Sequence, residues 1–250
     1  PIVAVTGRMT HSKPNLAQVP ASYSPYGKEC REVWVVPKGK CLVGMDASGL
    51  ELRMLAHYMN DEEYTNEVIH GDIHTANQMA AGLQSRDSAK TFIYAFLYGA
   101  GDEKIGSIVD GSRADGKQLK AKFLDNTPSL RTLRERVGTA SKRGYLKGLD
   151  GRKIWVRSKH SALNTLLQGA GAIVMKKALT ILEKSAIIED IGYKFIGNIH
   201  DEIQTEVNDE QATLFGELAV KSIQQAGEEL NLHCPLDGEY KIGGSWNETH

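Results

Sequence analysis

The sequence feature that most constrains the fold is a pair of alternating segments separated by three polar residues. Apolar positions alternate with other residues from Tyr193 to Ile199, and again from Ile203 to Val207. A period of two is typical of β-strands, and two such strands around a short polar centre predict a β-hairpin. The centre is His200-Asp201-Glu202, so we expect Asp201 at the turn of an antiparallel pair.

A second predicted strand also leads to a carboxylate. The apolar run Cys41–Met45 predicts a buried strand that ends at Asp46, before residues at helical spacing. Two interpretations of Asp46 stay open. Asp is a favoured helix N-cap, and Ser48-x-x-Glu51 fits a capping box. Alternatively, Asp46 and Asp201 are strand-end carboxylates that together bind divalent cations, as sites for phosphate chemistry require.

The third block is a row of side chains on a predicted helix. Arg86, Lys90 and Tyr94 are spaced four residues apart and therefore form one stripe about 12 Å long. That length suits a triphosphate and its sugar, although a solvated basic face would have the same spacing. Phe92 and Phe96 fall on the opposite side, where we expect them to anchor the helix to a core.

The remaining segments predict an α+β fold, with a small antiparallel sheet and helices grouped around it. Gly99 is a natural stop for the helical pattern that begins near Asp72, and Pro128 interrupts another helical segment. Further predicted elements are helices over 162–183 and 210–230, a strand or hairpin arm over 154–156, and a short strand over 240–246.

Composition narrows the class of protein. The 250 residues suffice for one large domain or two lobes, and no apolar run approaches the roughly 20 residues that span a bilayer. No secretory leader is evident, and three scattered cysteines indicate a reducing compartment. Between residues 117 and 159 there are 13 Lys or Arg and 3 Asp or Glu, which favours a polyanionic partner or solvated helix faces.

The three blocks, in this order, resemble motifs A, B and C of the family A DNA polymerases, the DNA polymerase I group. The matching segments are Asp46-Ala-Ser-Gly-Leu-Glu-Leu-Arg53, Arg86 to Gly99, and His200-Asp201-Glu202. Shorter matches cover Thr6-Gly7-Arg8, residues 14–20, Gly71-Asp72-Ile73-His74 and residues 168–172. Thr91-Phe-Ile-Tyr94 and Tyr98-Gly-Ala-Gly-Asp102 resemble in particular the T-seven-like podophage replicative polymerases.

The resemblance implies a role for each matched position. Asp46, Asp201 and the Ala47 carbonyl would hold two Mg²⁺ ions, with Glu202 as an auxiliary carboxylate. Lys90 would protonate the leaving pyrophosphate. The implied nucleotide-binding residues are Glu51 (beside the sugar 2′ position), His74, Arg86, Lys90 and Tyr94 (under the sugar). The implied DNA contacts are Tyr98 at the template, Arg8, Gln168 and His200 in the minor groove, and, less strongly, Asn15, Gln18 and Asn164.

The resemblance also implies an organisation and partners. Residues 1–58 and 161–250 would form the palm, and residues 59–160 a mainly helical fingers subdomain of a right-hand polymerase fold. The family's thumb and exonuclease would precede residue 1, so we expect a fragment that binds DNA weakly. Its partners would be primer-template DNA and dNTP, with no membrane, and a processivity factor would act through regions outside the chain. The expected location is the cytoplasm of an infected bacterium.

Three other functions stay open on sequence alone. A single-subunit RNA polymerase would share the carboxylates and the Lys/Tyr helix, although Glu51 with Tyr94 favours deoxynucleotides. A His-Asp metal phosphohydrolase would carry its His-Asp pair on a helix within an all-helical fold. Its further metal ligands would be His57, His70 or His74. A non-catalytic DNA-binding fragment is the third.

Overall fold

The computed structural model describes residues 2–250. Its strands are β1 (Ile2–Val3), β2 (Met9–Thr10), β3 (Lys40–Ala47), β4 (Tyr145–Lys147), β5 (Lys153–Trp155), β6 (Tyr193–Ile199), β7 (Glu202–Asn208) and β8 (Gly238–Gly243). Its helices are α1 (Gly27–Glu32), α2 (Leu50–Met59), α3 (Glu62–His70), α4 (Ile73–Ala81), α5 (Arg86–Leu97), α6 (Asp102–Gly106), α7 (Arg113–Asp125), α8 (Pro128–Ala140), α9 (Ala162–Ile188) and α10 (Ala212–Glu229).

The described chain divides into two compact units. The first, here called the sheet unit, comprises the described residues up to Leu50 together with Ala170–His250. The second, the helical unit, is Glu51–Gly169. These boundaries lie near those expected for palm and fingers, and the assignment of those names stays a prediction.

The sheet unit is built on four antiparallel strands in the order β6-β7-β3-β8. β6 and β7 form the predicted hairpin, with His200 and Asp201 between them. β3 lies between β7 and β8, so its carboxyl end has a neighbouring strand on each side. This arrangement brings the end of β3 beside the hairpin turn, where the Ala47 amide donates to the Asp201 carbonyl over 3.3 Å.

Helix α10 packs against the sheet through β3 and β8. Its side chains Phe215, Ala219 and Ile223 are fully buried, as are Val43 and Ile203 of the sheet. A glycine permits the close approach of α10 to β8. A Cβ on Gly216 would lie 2.2 Å from the Tyr240 ring, so a larger residue there would push the helix away from the strand.

The helical unit contains α3 to α8 and the hairpin formed by β4 and β5. Its core includes Phe92 and Phe96, which lie edge-on to Phe123 of α7 with ring centroids 5.1 and 5.3 Å away. The two phenylalanines therefore anchor α5, as its spacing predicted. Pro128 occupies the first turn of α8, where its missing N–H costs no hydrogen bond.

The predicted α+β architecture with a small antiparallel sheet is confirmed. One predicted element is placed differently, because the last strand is Gly238–Gly243 rather than residues 240–246. The predicted interruption at Pro128 is confirmed, since the segment forms two separate helices, α7 and α8. Ahead of β3, the β1–β2 pair and α1 are elements that the sequence did not predict. Helix α9 is long and apolar enough to cross a membrane by length and composition, but 72% of its most apolar window is buried within the protein.

Candidate active-site residues

Asp46 lies inside β3 rather than at a helix terminus. It is paired with Glu202 on β7 and with Glu239 on β8, so three acidic residues form a row across three neighbouring strands. The helix that follows begins only at Leu50. The interpretation of Asp46 as a helix N-cap is therefore wrong, because the strand hydrogen bonds continue through it to Ala47.

The environment of Asp46 penalises its negative charge. Burial, followed by the charges of Asp201, Glu202 and Glu239, raises the pKa of Asp46 to about 7. An ionised carboxylate among like charges gains stability from a cation between them. The observation therefore points to a site for positive charge at the end of β3.

Glu202 has the opposite environment, because donors surround it. Its Oε1 accepts hydrogen bonds from Gln204 Nε2 and from the Trp246 indole Nε1, both at 2.6 Å, while Oε2 lies 2.6 Å from His250 Nδ1. Burial acts to raise the pKa of Glu202, but these hydrogen bonds hold it below its usual range. A carboxylate held in this way is ionised and oriented by the protein itself.

Asp201 lies in the turn between β6 and β7, next to His200. His200 and Asp201 line a small cleft with Arg8 and Lys176, beside Gly7 and Ala172. Gly7 has φ +81°, which a residue with a side chain adopts only with strain, and a Cβ there would lie 3.8 Å from that of Ala172. The cleft thus brings Arg8 beside His200 and Asp201, which lie far from it in the sequence; all three are predicted site residues.

The carboxylates of Asp46 and Asp201 suit a divalent cation that takes its remaining ligands from water and substrate. Among the residues that the structure describes, no group of three or more His, Cys, Asp or Glu side chains is arranged to enclose a metal. Mg²⁺ is commonly held by one or two carboxylates plus water and substrate phosphates, so a pair of aspartates matches its needs. The raised pKa of Asp46 is the observation that supports this fit.

In the helical unit, α4 and α5 pack together and present the predicted cations. Asp72 is the N-cap of α4, where it accepts a hydrogen bond from the His74 amide. The same carboxylate accepts two from Arg86, at 2.6 Å from Nε and 3.1 Å from Nη2. Hydrogen bonds from Arg86 and Thr75 hold the pKa of Asp72 well below its usual range.

His74 lies among the side chains of the α5 stripe. Its ring is 6.3 Å from that of Tyr94, and its pKa is lowered by burial and then by the charges of Arg86 and Lys90. His74 is therefore neutral near pH 7. The structure brings His74, Arg86, Lys90 and Tyr94 together as the sequence predicted.

The stripe continues to Tyr98 and Glu51. The Tyr94 and Tyr98 rings are 6.4 Å apart, and the Tyr98 hydroxyl donates to Glu51 Oε2 over 2.9 Å. Gly99 then ends the helix with φ +77°. The six residues predicted to contact nucleotide and template on this unit thus form one continuous surface.

The other predicted DNA contacts lie on separate elements. Asn15 and Gln18 are exposed, at the start and end of a 3₁₀ turn in the sheet unit. Asn164 and Gln168 are half-buried and four residues apart on α9, in the helical unit. The prediction that the carboxylates, the cationic stripe and these contacts act together stays a prediction.

The geometry weakens the phosphohydrolase interpretation. Its His-Asp pair would lie on a helix, whereas His200 and Asp201 form the turn of a hairpin in the sheet unit. His57, His70 and His74 belong to the helical unit.

Sequence reasoning missed several residues around the carboxylates. The most prominent are Glu239, Gln204, Trp246 and His250, together with Asp72 as the partner of Arg86. Asp72 belongs to the Gly71-Asp72-Ile73-His74 segment, two residues before His74, so its position in the sequence could have indicated a role near the triphosphate. Gln204 lies two residues from Glu202 on β7, Glu239 joins the site through the pairing of β8 with β3, and Trp246 and His250 come from the segment after β8.

Comparison with solved structures identifies the class of fold. The chain matches the structure described as "POL domain of Pol1 from M. smegmatis complex with DNA primer-template and dNTP", with a TM-score of 0.88. The match covers 98% of this chain and 47% of that one, at 23% sequence identity. At this identity the likeness establishes the fold, which is that of a polymerase domain.

Sequence comparisons identify the family. The model of DNA polymerase family A matches residues 1–248. The DNA-directed DNA polymerases of Enterobacteria phage T3 and Escherichia phage T7 are 46% and 45% identical to the chain over 99% of its length. The chain belongs to DNA polymerase family A, and it spans 40% of the length of each of these two relatives.

Proposed function

We propose that the chain carries the catalytic centre of a DNA-directed DNA polymerase, transferring a nucleotidyl group from a dNTP to a primer 3′-hydroxyl. The observation that carries the proposal is the row of carboxylates around Asp46, whose pKa is raised to about 7 by burial and by its acidic neighbours. Membership of DNA polymerase family A supports the same reaction. In this transfer the 3′-oxygen bonds to the α-phosphorus, and the bond to the pyrophosphate breaks.

Asp46 and Asp201 would hold two Mg²⁺ ions, together with the Ala47 carbonyl. Bound there, Mg²⁺ lowers the pKa of the attacking hydroxyl and stabilises the departing pyrophosphate. Glu202 acts as an auxiliary group rather than a metal ligand, because both of its oxygens already face donors of the protein. Its fixed negative charge helps to keep positive charge beside Asp46.

The α4–α5 surface would bind the incoming nucleotide. Arg86, Lys90 and neutral His74 donate to the triphosphate oxygens, and Lys90 supplies a proton to the leaving pyrophosphate. Tyr94 packs under the sugar. Glu51, held by the Tyr98 hydroxyl, occupies the space of a ribose 2′-hydroxyl and thereby favours deoxynucleotides.

The DNA would be held by the polar side chains that the resemblance implies. Arg8, His200 and Gln168 contact the minor groove, whose acceptors are shared by all base pairs, and Tyr98 stacks at the template position. Asn15, Gln18 and Asn164 contribute further contacts. Since the matched relatives T3 and T7 are phages, we place the reaction in the cytoplasm of an infected bacterium. A processivity factor would act through other regions of a longer protein.

Primer extension with Mg²⁺ at excess protein over DNA tests the proposal. We expect addition of dNTPs, with rNTPs added far more slowly. Lys90→Gln should slow extension by roughly 10²–10⁴-fold, the usual effect of losing a proton donor. Lys104→Gln, a control on α6, should stay within about twofold of the parent chain.

Each alternative predicts a different result in the same assay. Equal or faster use of rNTPs would favour an RNA polymerase. Phosphate release from dNTP without primer would favour a phosphohydrolase. DNA binding without any extension would contradict the proposed activity and favour a non-catalytic fragment.

A further inference from the structure

The β4–β5 hairpin of the helical unit displays an aromatic pair. Tyr145 and Trp155 are directly opposite each other in the strand register, with ring centroids 5.9 Å apart at an interplanar angle of 69°. Trp155 is 62% exposed. A large indole surface left in water is uncommon, because burying it would stabilise the fold.

The exposed face of the hairpin is not the face that packs on the core. Leu146 and Ile154, on the opposite face of the same two strands, are each 3% exposed and provide the contact with the core. Side chains alternate between the two faces of a strand, so the face with Tyr145 and Trp155 is the one turned to solvent. The exposed face therefore has room for a function of its own.

Cations flank the aromatic pair. The Arg143 guanidinium carbon lies 5.2 Å from the centre of the Tyr145 ring, and Lys153 Nζ lies 4.7 Å from it. Over residues 142–159 there are seven Lys or Arg and one acidic residue, Asp150, which is paired with Arg152. The face thus combines an exposed aromatic surface with a net positive charge.

This combination suits single-stranded nucleic acid. Unpaired bases stack on exposed aromatic side chains while neighbouring cations contact the phosphates, and this mode tolerates any sequence. A duplex keeps its base faces stacked internally and would use only the cations. An acidic peptide would likewise use the cations and leave the indole face without a partner.

We propose that the β4–β5 hairpin is a binding site for the unpaired template strand, through stacking of a base on Trp155 and phosphate contacts with Arg143 and Lys153. The choice of the template rests on the proposed polymerase function, since every primer-template carries an unpaired template strand. The hairpin would hold that strand independently of the residues assigned to chemistry.

The contact is tested by the fluorescence anisotropy of a labelled dT oligonucleotide of about 12 nucleotides, which measures its affinity for the chain. Trp155→Ala should weaken binding roughly tenfold, and Trp155→Phe less, because a smaller aromatic ring remains. Lys153→Gln should weaken binding and flatten its salt dependence by somewhat less than one unit of log–log slope. Tyr23→Ala, at a 92% exposed tyrosine of the sheet unit, is the matched control and should change nothing.

The strand is identified with primer-templates of two designs. A template overhang of about 12 nucleotides should bind the parent chain more tightly than an overhang of two, and Trp155→Ala should abolish that difference. Single-nucleotide extension on the short overhang should be unaffected by Trp155→Ala. Loss of extension by the parent chain, with Trp155-dependent binding retained, would contradict the polymerase activity while supporting the hairpin contact.

Three results would overturn the proposal. The first is equal oligonucleotide affinity of the parent chain and Trp155→Ala. The second is a Glu-rich 12-residue peptide that displaces the oligonucleotide at lower concentration than unlabelled dT does. The third is a Trp155-dependent gain in affinity that is seen with an unpaired non-template strand but not with the template overhang.

Discussion

Asp46 and Glu202 lie directly opposite each other on two hydrogen-bonded antiparallel strands, yet the protein shifts their pKa values in opposite directions. Asp46 is half-buried among acidic neighbours, and its pKa rises to about 7. Glu202 is buried, but Trp246, Gln204 and His250 keep its pKa low. One carboxylate therefore needs a cation, while its neighbour is stabilised by the protein.

The raised pKa predicts a pH dependence of stability without metal. The folded state holds the Asp46 proton more tightly than the unfolded state does. Folding stability is therefore unaffected by this group below about pH 4, falls as the pH rises, and has lost the full contribution above about pH 7. At pH 8 the free energy of unfolding of Asp46→Asn should therefore exceed that of the parent chain by on the order of 1–3 kcal/mol. Near pH 4.5 the two chains should differ little.

Denaturant unfolding in EDTA at both pH values measures this effect. Added Mg²⁺ should stabilise the parent chain more than Asp46→Asn, which serves as the internal control. An unchanged stability of Asp46→Asn at pH 8 would show that the carboxylate row carries no such strain.

The Trp246 indole predicts a coupling between stability and catalysis. Trp246→Phe keeps an aromatic ring beside Arg31, whose guanidinium carbon lies 4.3 Å from the ring centre, but removes the N–H donor to buried Glu202. We expect a loss of about 1–3 kcal/mol in unfolding free energy and slower primer extension. Trp34→Phe, at a partly exposed position, is the control, and equal behaviour of the two variants would contradict the role of the donor.

The Arg86–Asp72 pair predicts an effect on nucleotide affinity. Asp72→Asn retains a good N-cap for α4 but weakens the hold on Arg86, so the KM for dNTP should fall by about two- to fivefold. Arg86→Gln should raise it roughly tenfold or more. Asp125→Asn, which breaks an exposed ion pair with Arg131, is the matched control. A KM unchanged by Asp72→Asn would mean that the carboxylate does not compete with the triphosphate.

The hydrogen bond from Tyr98 to Glu51 predicts a change in sugar selectivity. Glu51→Ala should raise the ratio of rNTP to dNTP incorporation by roughly tenfold or more, since it opens the space of the 2′-hydroxyl. Tyr98→Phe keeps the ring and removes only the hydroxyl at 2.9 Å, so it should raise the ratio less. Single-nucleotide incorporation assays measure both, and an unchanged ratio in Glu51→Ala would remove this residue from sugar recognition.

The parts of the site that sequence predicted depend on local periodicity. The β6–β7 hairpin and the α5 helix follow from alternation and from four-residue spacing, so Asp201, Arg86, Lys90 and Tyr94 could be predicted as candidate site residues without knowledge of the fold. The strand before Asp46 was likewise evident, although its carboxylate was also compatible with a helix cap until the strand pairing was known.

The parts that sequence did not predict depend on pairing between distant segments. Glu239 joins the row only because β8 pairs with β3, almost 200 residues earlier in the chain. Trp246 and His250 reach Glu202 through a chain end that has no regular pattern. No local periodicity reports such register, so these residues appear only in the three-dimensional structure.

Primer extension by Asp46→Asn and Asp201→Asn, in parallel with Glu239→Gln, tests the central claim most directly. Each Asn variant should lose extension by about 10³-fold or more, because a metal-holding carboxylate contributes several kcal/mol to the transition state. Glu239→Gln removes one negative charge from the row of carboxylates that includes Asp46, and it should stay within about tenfold of the parent chain. Extension that is unaffected by both Asn substitutions would contradict the assignment of Asp46 and Asp201 as the catalytic pair.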